Sequence, residues 1–218
     1  LVEDYVPGIE VALEGLLVAG ELTVLALFDK PDPLEGPFFA ETIYTTPSRQ
    51  PAEVQARIRE TTARAVAALG LSSGPIHAEL RINDDGIWPI EIAARSIGGL
   101  CSRMLRFGTG LSLEEIILRQ ALGQPLESLK RQDGGGGVMM LPVPESGRLL
   151  AVEGQEAARA VPGITDLTIT IPLGESVQAL PEGDRYLGFL FAEGDTPEGV
   201  EATLRQAFTK LEVQIEPA

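Results

Sequence analysis

The sequence predicts an α+β fold: mostly antiparallel strands with helices packed on one side, followed by a small mixed C-terminal unit. Three observations predict it. Two pairs of strand-like runs are each joined by a short turn sequence, at 19–21 and 83–86. Helical spacing of apolar residues appears only in a few isolated segments. A run of four glycines at 134–137 then separates a second series of short apolar and alternating stretches from the first.

Residues 1–6, Leu-Val-Glu-Asp-Tyr-Val, open on a strand pattern with no initiator methionine, which predicts a piece of a longer protein. Residues 9–17 and 22–28 are apolar runs joined at Ala19-Gly20-Glu21, hence an antiparallel hairpin. Glu10, Ala12 and Glu14 share one face of its first strand. A loop rich in Pro and Asp (29–37) precedes a short strand over 38–45. Lys30 and Glu41 flank that loop; they could reach phosphate or substrate, an ordinary surface role being the alternative. Pro51 opens a helix in which Val54, Ile58, Ala65, Val66 and Leu69 recur at helical spacing, and Gly70 closes it.

The next segment carries the chemistry. Residues 75–82 alternate, with Ile76, Ala78, Leu80 and Ile82 on one face and His77, Glu79 and Arg81 on the other. Asn83-Asp84-Asp85-Gly86 supplies a turn, and 87–93 runs back as a second strand. A three-residue loop at 84–86 places Glu79 directly opposite Glu91; a two-residue loop would shift the pairing by one, beside Ile92. Facing carboxylates have Cβ atoms roughly 4.5–5.5 Å apart and repel. Two such groups next to an arginine suit a divalent cation that also touches phosphate oxygens, as magnesium is usually bound; two solvated surface glutamates are the bland reading. Arg95 can clamp phosphate or carboxylate in a fork. Ser96-Ile97-Gly98-Gly99, just after the strand, lets backbone N–H groups approach an anion.

Beyond the hairpin, 100–107 reads as a short helix, and a second starts at Ser112, with Glu115 completing a capping box, and stops at Gly123. Residues 132–137 read as a flexible linker, because glycines offer no side chain to pack. The units are therefore expected at 1–130 and 138–218. In the second, 138–143 is apolar, 154–160 resembles a helix, 166–171 a strand and 186–192 a buried run. Thr196 and Pro197 are the N-cap and first residue of a last helix reaching about residue 210.

Composition narrows the function class. The formal charge of −15 argues against nucleic-acid or anionic-membrane partners. No apolar run is long enough to span a bilayer, and no signal peptide is expected. The single cysteine, Cys101, excludes an internal disulfide framework and fits a reducing cytoplasm; it reads as a packing residue with no evident base beside it, not a nucleophile. Leu-rich patches in the C-terminal unit suit either core or a homo-oligomer interface.

Taken in order, Leu1-Val2-Glu3-Asp4-Tyr5-Val6-Pro7-Gly8-Ile9-Glu10, then His77-Ala78-Glu79-Leu80-Arg81-Ile82, then Glu91-Ile92-Ala93-Ala94-Arg95-Ser96-Ile97-Gly98-Gly99, resemble the C-terminal lobe of an ATP-grasp enzyme. The likeness is greatest to the L-amino-acid ligase type. Ala160-Val161-Pro162-Gly163-Ile164 and Arg185-Tyr186-Leu187-Gly188-Phe189 resemble the small domain that follows that core. The resemblance implies an ATP-dependent carboxylate–amine ligase working through an acyl phosphate, with ATP and magnesium (or manganese) as cofactors and small carboxylate and amine substrates. It implies that Glu3, Tyr5 and Val6 belong to the hinge that reads adenine, and that Glu10 holds the ribose. It implies magnesium on Glu79 and Glu91, Arg95 on the γ-phosphate and acyl phosphate, and backbone N–H groups of Gly98 and Gly99 near the substrate carboxylate. His77, on the face of Glu79, could orient substrate or move a proton, the alternative being a polar residue hydrogen-bonded near the site.

The sequence departs from the family pattern in two ways. Ala93 stands where many members carry an asparagine that completes the metal shell, which leaves the metal count open. The family's N-terminal lobe, with its phosphate-covering glycine loop and lysine, has no match here, so the chain alone is expected to be inactive. The alternatives are a bicarbonate-activating enzyme of the same fold and a non-catalytic module.

Overall fold

In a computed structural model, residues 2–34, 40–126, 128–180 and 182–217 are described. The chain divides into two compact units, 1–33 with 46–133 and 34–45 with 134–218, so that the segment 34–45 groups with the C-terminal unit. Strands and helices are numbered along the chain: β1 (Ile9–Val18), β2 (Glu21–Asp29), β3 (Ile43–Thr46), α1 (Ala52–Ala68), β4 (Gly74–Asn83), β5 (Gly86–Ala93) and α2 (Leu113–Ala121). Phe38 and Phe39, expected to begin the third strand, lie outside the described residues.

In the first unit the strands run in the order β5-β4-β1-β2, each antiparallel to its neighbour. β1 and β2 meet at Ala19 and Gly20, both at positive φ (51° and 84°), the left-handed pair that suits the twist of a two-residue hairpin. Helix α1 lays Ile58 and Val66 against Val11, Leu13, Leu17, Leu27, Ile76, Ala78 and Leu80 to form the core. Its fully covered stripe is Ile58, Thr62 and Val66, with the Thr62 hydroxyl returned to the Ile58 carbonyl at 2.9 Å. Leu69, expected on that stripe, is exposed, because the chain turns at Gly70 and Leu71 packs on the core instead.

Other expectations change here too. Residues 2–7 lie outside any strand. Side chains of β4 and its turn hold them: Arg81 donates to the Val6 carbonyl at 2.6 Å and Asn83 to the Pro7 carbonyl at 2.8 Å. Gly8 (φ 135°) lies so close to β4 that a Cβ there would sit 2.3 Å from the Ile82 oxygen. Residues 100–107 form only one 3₁₀ turn, Cys101–Met104, ended by the extended backbone of Leu105. α2 begins where expected, Ser112 accepting from the Glu115 N–H at 3.2 Å, and ends before Gly123 at φ 64°.

The second unit adds β6 (Gly135–Leu141), β7 (Gly147–Glu153), α3 (Gln155–Arg159), β8 (Ile164–Ile169), β9 (Ser176–Val177), β10 (Gly188–Gly194), α4 (Pro197–Phe208) and β11 (Glu212–Glu216). Its strands form one layer in the order β3-β6-β10-β8 and a three-stranded sheet β11-β7-β9. Leu149, Leu167, Leu190, Val200 and Leu204 are among the core residues. The glycine run is no linker. Gly135, Gly136 and Gly137 are buried residues of β6, paired with Gly194, Glu193 and Ala192 of β10. Helix α4 lies directly on that stretch: a Cβ on Gly137 would stand 2.6 Å from Val200 Cγ1, and one on Gly135 2.8 Å from the Thr196 carbonyl carbon. The glycines remove side chains so that helix and strand can touch. Among the described residues no helix is long and apolar enough to cross a membrane.

Candidate active site

The antiparallel register of β1 and β4 decides what the charged face of the first sheet contains. Arg81 is set opposite Glu10, Glu79 opposite Ala12, and His77 opposite Glu14. Successive side chains alternate between faces, so all five polar groups emerge on the side away from α1. They are buried there: Glu10, Glu14, His77 and Arg81 each expose less than a tenth of their surface.

Burial forces pairing, because a lone charge out of water costs several kcal/mol. The pairing is continuous. The Arg81 guanidinium lies over the Tyr5 ring, 5.1 Å from its centre, and donates to Glu10 Oε2 at 2.8 Å. The Lys30 ammonium, just past the end of β2, donates to Glu10 Oε1 at 2.6 Å and to Glu79 Oε1 at 2.7 Å. His77 stands between Glu79, 3.6 Å from Nε2, and Glu14, 2.5 Å from Nδ1. The other Glu14 oxygen accepts the Ile97 N–H at 3.0 Å. Cation and anion alternate along the whole row.

The electrostatics follow. Burial alone would depress the His77 imidazole, but its hydrogen bonds to Glu14 and Glu79, and their charges, push it up to about 9, so the ring is a cation at neutral pH. Burial works against ionising Glu79, yet the His77 hydrogen bond and the Lys30 ammonium prevail and draw its carboxyl down to about 2. At Glu14, burial pushes the carboxyl up against the pull of His77, the Ile97 N–H and the Arg95 charge.

On its other edge β4 pairs with β5, and here the expected facing carboxylates are found: Glu79 is the direct partner of Glu91. The route differs from the expected one. The loop has two residues, Asp84 and Asp85, with Asn83 paired to Gly86 and its side chain accepting from the N–H groups of Asp85 and Gly86. Continued unbroken, that register would bring Glu79 to Ile90, neither to Glu91 nor to Ile92. A bulge between the Leu80–Pro89 and Glu79–Glu91 pairs inserts Ile90 and restores the facing acids. Glu91 is half exposed and receives Arg95 Nη2 at 3.0 Å, an exposed pair.

Residues 1–104 match the ATP-grasp domain family, and residues 139–216 match the family described as L-amino acid ligase C-terminal domain 2. The chain is an ATP-grasp sequence joined to an L-amino acid ligase C-terminal domain. The fold agrees: the L-amino acid ligase of Bacillus licheniformis superposes over 97% of this chain and 53% of its own, at 27% identity and a TM-score of 0.85. Among curated proteins, the uncharacterized protein y4rH of Sinorhizobium fredii is 23% identical over the whole of this chain and 44% of its own length. Carnosine synthase 1 of Gallus gallus is 34% identical over 57% of this chain and 13% of its own. The chain thus spans less than half the length of the curated relatives it matches.

Within this ATP-grasp segment the expected site residues occupy distinct places. Glu10, His77, Glu79 and Glu91 fall on three adjacent strands of one sheet. Glu3 and Tyr5 are exposed on residues 2–7, and the Val6 carbonyl is held by Arg81. Gly98 and Gly99 lie in the turn before the 3₁₀ helix, Gly99 and Leu100 both left-handed (φ 59° and 57°). Ala93 faces His77 across β4 and β5.

Sequence reasoning leaves Glu14 and Arg81 without a role and Lys30 between a phosphate or substrate contact and a surface role. Lys30 is buried at the centre of the charged row, so the surface reading fails for it. Glu14 and Arg81 also belong to the row. The signal that could have found Glu14 and Arg81 is Glu10 and Glu14 on one face of β1 matched against His77, Glu79 and Arg81 on β4, once those strands are taken as neighbours; Lys30 lies on neither strand. Glu41, in the second unit, accepts from the Tyr44 hydroxyl and, at 3.4 Å, from that of Tyr186, beside a cavity of about 530 Å³.

Proposed function

We propose that this chain is part of an ATP-dependent carboxylate–amine ligase of the amino-acid type that works through an acyl phosphate. The observation that carries the reading is the direct pairing of Glu79 with Glu91, with Arg95 and the 96–99 turn following in sequence. The match of residues 139–216 to an L-amino acid ligase domain supports the ligase reading over a bicarbonate-activating one.

The donor set fits a hard divalent ion: two carboxylates directly opposite each other, Glu79 now receiving Lys30 and Glu91 receiving Arg95. Glu79 and Glu91 would hold magnesium, whose positive charge would offset that of the transferring phosphoryl group. Lys30 and His77 favour the ionised form of Glu79. Arg95, now on Glu91, would turn its fork to the γ-phosphoryl oxygens as the substrate carboxylate attacks phosphorus and the bond to ADP breaks. The amine then attacks the carbonyl carbon of the acyl phosphate, loses a proton, and phosphate leaves. N–H groups at Gly98 and Gly99 would hold the substrate carboxylate, and residues 3–10 the nucleoside. The work is positioning and electrostatic stabilisation, with no covalent nucleophile.

The test is Glu91→Gln in the complete protein. Amino-acid-dependent phosphate release from ATP is expected to fall by roughly 10²-fold or more, with the fold intact by circular dichroism. Magnesium should raise the melting temperature of the wild type and not of the variant. Phosphate release that needs bicarbonate and ignores amino acids would remove the ligase reading.

A further inference from the structure

Glu14 is the most buried member of the charged row, at 1% exposure, and it stands at the end of the row opposite Arg81 and Tyr5. Its two oxygens have different partners. One faces His77 Nδ1 on β4, within the sheet; the other takes the Ile97 N–H, a backbone group of the turn that follows β5. That turn lies between Arg95 and the 3₁₀ helix, and it contains two consecutive left-handed residues, one of them the β-carbon-bearing Leu100. Such a conformation persists only when its surroundings fix it. Most contacts that hold it are made within the segment and the 3₁₀ helix, such as Arg95 Nη1 on the Ser96 carbonyl, the Cys101 N–H on the Gly98 carbonyl (both 3.1 Å) and the Arg103 N–H on the Leu100 carbonyl at 3.0 Å; the Ile97 N–H on Glu14 ties it to β1.

We propose that Glu14 is a positioning residue whose carboxylate bolts the 95–100 turn to the His77 imidazole, so that Arg95, the Gly98 and Gly99 amides and the Glu79-bearing strand hold one geometry. A carboxylate suits this better than an amide. Both its oxygens accept, so it serves a ring N–H and a backbone N–H at once, whereas a glutamine offers one acceptor and one donor. The His77 contact, at 2.5 Å, is as short as a charge-assisted bond, and the Ile97 contact, at 3.0 Å, has the length of an ordinary N–H···O bond. What the turn does for catalysis rests on the ligase reading above; the coupling itself does not.

The experiment therefore has two arms. In the first, amide hydrogen exchange is followed in the wild type and in Glu14→Gln, with the His77 Nδ1–H signal assigned by its loss in His77→Gln. The Ile97 amide should exchange at least tenfold faster in Glu14→Gln and the His77 Nδ1–H signal should shift, while amides of α1 exchange as before. Should Glu14→Gln fail to fold, Glu14→Asp, which keeps the charge but shortens the reach by one methylene, should show the same local loosening. Unchanged Ile97 protection in whichever variant folds would overturn the proposal. In the second arm, turnover of the complete enzyme in Glu14→Gln should fall about tenfold with the KM for ATP unchanged. Loosening of Ile97 without any ATP-dependent ligation in the wild type would sink the ligase reading and leave the coupling standing. Loosening together with undiminished turnover would overturn the positioning role.

Discussion

The two faces of the first sheet are made by the same strands and are both largely closed to water, Glu79 and Glu91 being the partly exposed members of the charged one, yet they are built on opposite rules. Toward α1, β1 and β4 present Val11, Leu13, Ile76 and Leu80, which meet Ile58 and Val66. Away from it they present Glu10, Glu14, His77, Glu79 and Arg81. The apolar face is held by contact, which is additive and tolerant: another side chain of similar volume serves nearly as well. The charged face is held by reciprocity, each group depending on the next for its counter-charge. Replacing such a row with apolar residues can be neutral for stability. Its persistence in a closed environment is therefore better explained by the chemistry it holds ready than by the energy it contributes.

The sharpest way to break this contrast is Lys30→Met. It removes the cation between Glu10 and Glu79 and leaves two buried carboxylates sharing Arg81 and His77, which should cost about 3–5 kcal/mol in urea unfolding. A loss below about 1 kcal/mol would mean the row is not mutually dependent.

Next in size is the pH dependence. His77 has a folded pKa of about 9 against an ordinary value of 6.5, so its contribution is complete below pH 6.5 and lost as pH rises through about 9. Glu79, drawn down to about 2, contributes above its ordinary 4.5 and loses that contribution as pH falls toward 2. Melting temperature should therefore decline on the alkaline side in the wild type and less so in His77→Gln. Equal slopes in both would contradict the imidazolium.

On the other face, Ile58→Val removes one buried methylene from α1 and should cost only about 0.5–1.5 kcal/mol, with no change in that pH profile. The smallest stability effect belongs to Gly98→Ala. Nothing lies within 4 Å of a Cβ there and its backbone is not left-handed, so the melt should move little. The same substitution in the complete enzyme should raise the KM for the carboxylate substrate if the backbone at 98 approaches it, and an unchanged KM would take Gly98 out of the site.

The apolar face was nearly all legible, because it depends on local periodicity: α1, the two hairpins and the capped α2 could be placed from spacing, turn residues and Ser112. The facing of Glu79 and Glu91 was reached too, although by the wrong turn length, since a bulge leaves no mark that distinguishes Ile90 from its neighbours. The charged row was only half legible. Glu10, His77 and Glu79 were picked out, but Lys30, Glu14 and Arg81 gain their meaning from the β1–β4 pairing, which brings together residues over sixty positions apart. The glycine run misled for a related reason. Absence of side chains is what a linker and a tight helix–strand crossing have in common, and only the position of α4 tells them apart.

The extra residue at Ile90 has a practical corollary. It acts as a phase corrector between the tip of the hairpin and the acids at its base, so the tip and the chemistry are separately adjustable. A reporter or an affinity handle grafted in place of Asp84 and Asp85 could be accommodated without displacing Glu91, provided the kink below it is left untouched.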